Sequence, residues 1–118
     1  MKSDALDPDA GTATEDVSPT TIFGALSNKR RQHALQYLVT KPGAVALGDV
    51  AEYVTIEEGD PTRDAYERVL TGLCHAHLPY LTDVGIVTYD VDRETVSLRV
   101  TPESLHPYLE LIRPTTDE

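Results

Sequence analysis

The stretch LCHAHLPYLTDVGIVTYD, residues 73–90, changes its period part-way along. Through Leu81 its apolar residues continue the three-to-four spacing of a helix face. From Ile86 the period falls to two, the spacing of a strand. Gly85 stands at the junction, the residue type that most readily closes a helix in the left-handed conformation. Downstream, the polar turn VDRE (91–94) leads into TVSLRV (95–100). The pattern predicts a long helix running directly into a β-hairpin over about 86–100.

Upstream, Asp60-Pro61-Thr62 supplies a helix start, with Asp or Thr as cap and Pro near the first turn. The predicted helix covers TRDAYERVLTGLCHAHLPYLTDV, and Pro79, lacking an N–H, is expected to kink or end it. Before it, LGDVAEYVTIEEG spaces Leu47, Val50, Ala51 and Val54 as a helix that Gly59 closes. AVAL (44–47) reads as a short strand or an extended link. NKRRQHALQYLVTK reads as a helix capped by Ser27, with a stripe of Ala34, Leu35, Leu38 and Val39, stopped by Pro42-Gly43. TTIFGAL (20–26) forms a first helix. The organisation is then an acidic disordered tail (1–19), a folded unit (20–100), a C-terminal helix (101–113) and a frayed end (114–118).

Composition bounds the function. A chain of 118 residues makes one domain, and 40% apolar content supports a modest core built on Leu, Val, Ile and six tyrosines. No run of 18 apolar residues predicts a membrane span. The N-terminal stretch has no hydrophobic segment of the signal-peptide kind, and a single cysteine suits a reducing compartment, so a cytoplasmic location is expected. Twenty acidic against ten basic residues give a net charge of −10. Phosphate attraction needs a basic surface, which speaks against nucleic acid at first sight. Only three of the ten cations are lysines and the acids are spread along the whole chain, a pattern that suits concentrated salt, where screening makes local basic clusters count for more than net charge.

The order helix, helix, short strand, helix, long helix, hairpin, helix defines an α+β, mostly α, winged helix-turn-helix. The hairpin is the wing, the long helix the recognition helix, and the terminal helices are additions. Three stretches carry a resemblance: Leu26 to Arg31 (LSNKRR), Val50 to Glu52 (VAE), and His77 to Asp90 (HLPYLTDVGIVTYD). Over residues 24–100 the chain resembles a group of winged-helix domains abundant in halophilic archaea, themselves similar to archaeal transcription regulators. The resemblance implies DNA binding in a high-salt cytoplasm.

On a helical wheel of about 100° per residue, Tyr66, Val69, Leu70, Leu73, His77, Tyr80 and Leu81 share one side of the long helix. Asp64, Arg68, Thr71 and His75 share the other. That outward side is the candidate base reader: Arg68 suits guanine, and Thr71 and His75 suit base or phosphate. Lys29, Arg30 and Arg31 at a helix start, Arg63 at the start of the long helix, and Arg93 at the hairpin tip are candidate phosphate ligands. The bland alternative is a solvated face laced by Arg63–Glu67 and Asp64–Arg68 ion pairs. His77, Pro79 and Gly85 read as structural, with the His77 imidazole bonding either a carbonyl that Pro79 leaves free or a neighbouring element. Cys74 and His77 could share a metal, but His75 points roughly opposite to His77, no other cysteine exists, and His33 and His106 are far off in sequence, so no metal is expected. Without a Gly-rich phosphate loop or a spaced nucleophile and base, neither a cofactor nor an enzymatic site is expected, and a metal or redox sensor is a remote alternative. Double-stranded DNA is the expected partner, and a protein-interaction module without DNA binding the main alternative. Leu105, Leu109 and Ile112 form a stripe on the last helix, which suggests a homodimer through residues 102–112. The competing arrangement folds this helix back near Ile22 and Phe23.

Overall fold

Ser18 begins the ordered architecture by accepting, through Oγ, the amide of Thr21 at 3.1 Å. The structure is a computed structural model that describes residues 17–112. Most of the expected acidic tail and the expected frayed end therefore lie outside the described residues. Helix α1 spans Pro19–Ala25, with Pro19 in the first turn where its missing N–H costs nothing. Helix α2 spans Lys29–Leu38, capped by Asn28 through its bond from the Arg31 amide. The cap was expected at Ser27, but that hydroxyl donates back to Gly24 O at 2.7 Å and belongs to the end of α1. Asn28 instead has the extended backbone that a cap requires.

Strand β1, Val45–Ala46, feeds helix α3, Leu47–Glu57, and Gly59 closes it with φ +88°. Helix α4, Arg63–Gly72, starts at Thr62, whose Oγ1 accepts from the Ala65 amide. Here the structure departs from one continuous helix. Residues Leu73–His77 widen into a π turn, in which the Leu78 amide reaches five residues back to Leu73 O. Helix α5, Leu78–Asp83, follows with Pro79 in its first turn. The wider turn makes room for the proline ring and passes over its missing donor without breaking the helix. At Gly85, φ +87°, the chain reverses, and Ile86 N bonds Leu81 O at 3.0 Å.

The hairpin pairs β2, Val87–Asp90, with β3, Thr95–Leu98, placing Val87 opposite Leu98 and Tyr89 opposite Val96. Strand β1 adds to the free edge of β3, Val45 opposite Val96, giving an antiparallel sheet in the order β1-β3-β2. The Leu47 amide, first of α3, donates to Glu94 O in the wing turn at 2.8 Å, so the wing is tied to the helix-turn-helix. Leu35, Leu38, Val50, Val54, Val69, Leu73, Leu78, Leu81, Ile86, Val87 and Val96 are buried together between the helices and the sheet. The fold is α+β and mostly helical, a winged helix-turn-helix with extra terminal helices.

Helix α6, Pro102–Ile112, begins where Thr101 accepts the Ser104 amide. It packs on α1, with Leu105 and Leu109 buried and the Phe23 and Tyr108 rings in an edge contact at 5.1 Å. The stripe that suggested a dimer thus finds most of its cover within the chain, in the competing arrangement that folds α6 back beside Phe23 on α1. Among the described residues no helix is long and apolar enough to cross a membrane.

Candidate nucleic-acid interface

Ala65, Val69 and Leu73 turn one side of α4 and its π extension into the core. Helical geometry then forces Arg63, Asp64, Glu67, Arg68, Thr71 and His75 outward, and all six are exposed. Arg63 Nε lies 3.2 Å from Glu67, the expected i,i+4 pair. Arg68 does not pair with Asp64 as expected; its Nη2 lies 3.9 Å from Asp60, which the turn before Thr62 brings alongside. Exposed pairs of this kind contribute roughly 0–1 kcal/mol, so neither arginine is locked in place.

The cations at the start of α2 behave differently. Lys29 is exposed. Arg30 makes a two-pronged pair with Glu58 just beyond α3, Nε at 2.7 Å and Nη2 at 3.0 Å. That bond raises the Arg30 pKa and holds the Glu58 carboxyl below its usual range. Arg31 turns back on α1: Nε donates to Ala25 O at 2.8 Å and Nη2 to Gly24 O at 3.2 Å. Its guanidinium also lies 4.4 Å from the Tyr80 ring centre. It therefore adds charged donors to the carbonyls that end α1. The expected phosphate ligands Arg30 and Arg31 thus both have partners inside the fold.

His77 joins this cluster. Its Nδ1 lies 3.4 Å from Arg31 Nη1, so of the two expected partners it meets the neighbouring element, α2, and not a carbonyl freed by Pro79. A guanidinium only donates, so this contact is a hydrogen bond in the tautomer that leaves Nδ1 as acceptor. Burial, then Arg31 and Arg30, lower the His77 pKa. Cys74 faces elsewhere, with Sγ 3.6 Å from Tyr89 Oη on β2. That hydrogen bond, with burial, pushes the Tyr89 hydroxyl up to about 12. Among the described residues no three His, Cys, Asp or Glu side chains come close enough to hold a metal.

A model of the family described as "Domain of unknown function (DUF7344)" matches residues 23–97. The chain belongs to that family. The DUF7344 span runs from Phe23 in α1 to Ser97 in β3, so it contains the helix-turn-helix, the π turn and the hairpin, and ends before α6. No curated protein and no solved structure matches the chain. Within the DUF7344 span the wing tip presents Arg93, its Nε 3.8 Å from Asp90, beside exposed Asp92 and Glu94. Glu58, Tyr80 and Gly72 escaped sequence reading as members of the arginine cluster. Gly72 carried a signal, since glycine inside a helix costs about 1 kcal/mol and needs a reason. The reason is Arg30, whose Nη1 sits 3.0 Å from where a Cβ at residue 72 would lie.

Proposed function

We propose that this DUF7344 chain is a sequence-specific DNA-binding protein, a transcription regulator of a high-salt cytoplasm. The observation that supports this is the outward face of α4: in the recognition position, it offers Arg63, Arg68, Thr71 and His75 to solvent with only surface ion pairs restraining them. Arg68 suits a guanine edge, and Thr71 and His75 a neighbouring base or phosphate. Arg63 and Lys29 are the phosphate ligands that remain once Arg30 and Arg31 are assigned inward. Arg93, among carboxylates, contributes least. The net charge of −10 is compatible with this in molar salt, where the screening length falls to about 3 Å.

The test is selection from a random duplex pool in molar KCl, followed by fluorescence anisotropy on the enriched sequence. Arg68→Ala is expected to weaken binding by roughly tenfold and to relax preference at one base position. Failure to enrich any sequence would overturn the proposal. The inward arginines and the acidic wing favour a protein-interaction module as the second reading, and that failure would favour it in turn.

A further inference from the structure

Between α3 and the start of α4 lies an open groove of about 620 Å³, lined by Asp49, Glu52 and Ile56 on one wall and Pro61, Arg63 and Tyr66 on the other. Asp49, Glu52 and Ile56 are spaced i, i+3, i+7 and so share a face of α3. The side chains of Asp49 and Glu52 have neither an ion pair nor a hydrogen bond among the described residues. The Tyr66 hydroxyl is likewise without a hydrogen-bond partner there, and it lies close over Gly48, 3.1 Å from where a Cβ would be. Ile56 is 55% exposed, large for an isoleucine at the rim of a groove. Arg63, the cation of the lining, pairs with Glu67 at 3.2 Å and is 83% exposed, so its charge is met by a carboxylate and by solvent.

We propose that this groove docks a basic segment of a partner protein, with an Arg or Lys seated between Asp49 and Glu52 and an apolar neighbour on Ile56 and Pro61. Charge complementarity selects the occupant. Two unpaired carboxylates attract a guanidinium or ammonium and repel phosphate, so nucleic acid fits poorly here. The chain's own ends do not match either: residues 1–16 carry five carboxylates and one lysine, and residues 113–118 two carboxylates and one arginine. The free Tyr66 hydroxyl can bond the backbone of an extended segment, which fixes its register. This reading goes beyond DNA binding and does not depend on it.

The experiment is selection of a displayed random-peptide library on the full chain in molar KCl, with the enriched peptide then measured by anisotropy. Enriched peptides should pair Arg or Lys with Leu, Ile or Val. Asp49→Asn with Glu52→Gln should weaken the peptide by roughly tenfold, and Ile56→Ser by roughly fivefold. Asp92→Asn with Glu94→Gln removes as much charge from the wing and should leave affinity within about twofold. Absence of a basic-apolar consensus overturns the proposal, as does equal loss in the wing variant. Duplex DNA that shifts the Asp49 and Glu52 amide resonances on α3 would assign the groove to nucleic acid and overturn it as well.

Discussion

Arg30 and Arg31 on α2 and Arg63 and Arg68 on α4 are the same residue type on two amphipathic helices, yet they meet opposite fates. The α2 pair is drawn into the fold by Glu58, by the carbonyls ending α1, and by the Tyr80 ring. The α4 pair stays in solvent, with Arg63 83% and Arg68 67% exposed at the side chain. The difference lies in what the chain places opposite. Three elements converge on the start of α2, whereas nothing in the described chain covers the outer side of α4. A basic cluster in sequence is therefore no measure of a basic surface. Here the densest cluster works mainly as an internal clamp.

The sharpest way to break this contrast is Arg31→Ala. It removes charge-assisted bonds to Ala25 O and Gly24 O and the contact with Tyr80. Denaturant unfolding should show a loss of about 2–3 kcal/mol. Arg31→Lys should recover little of it, because a lysine cannot reproduce the planar fork. A loss no larger than that from Arg68→Ala would erase the distinction.

Next in size is the Arg30–Glu58 pair, whose side chains are each 28% exposed. Glu58→Gln should cost about 1 kcal/mol, and a double-mutant cycle with Arg30→Ala should show coupling of similar size. Because Arg30 depresses the Glu58 pKa, this stabilisation is complete above the ordinary carboxylate value of 4.5 and is lost as pH falls through the lower folded value. Acid titration of the Glu58→Gln protein should therefore lose part of the wild-type slope below that pH.

A smaller effect concerns His77. Its folded pKa lies below the ordinary 6.5, so the unfolded chain binds the proton first as pH falls. Stability should be level above that value and decline as pH drops from it through the lowered folded value. His77→Gln should flatten the unfolding free energy in that window alone. An unchanged slope would place the imidazole outside the arginine cluster.

Local patterns carried the fold because they are local. The change of period at Gly85, the Thr62 cap and the stripe of Val50, Ala51 and Val54 each lie within one turn of the residues they organise. The π turn was less legible, since a proline at residue 79 is compatible with a kink, a stop or a widened turn, and neighbouring packing selects among them. The cover over Leu105 and Leu109 depends on where α1 docks, which no spacing in α6 encodes. The inward arginines were hidden for the same reason: Glu58 lies 28 residues from Arg30, and the pair forms only when α2 and α3 cross. The outward face of α4 was legible because exposure follows from the buried face of the same helix.

The smallest expected effect on stability and the largest on function meet in one protein, Arg68→Ala with His75→Ala. Both side chains are exposed, so its unfolding free energy should stay within about 0.5 kcal/mol of wild type. Its anisotropy titration on the duplex enriched from a random pool in molar KCl tests the central claim most directly. A roughly hundredfold loss of affinity with an unchanged melting curve is expected, each side chain carrying about one decade. Wild-type affinity in that protein, or loss only after Arg30 and Arg31 are removed, would contradict it.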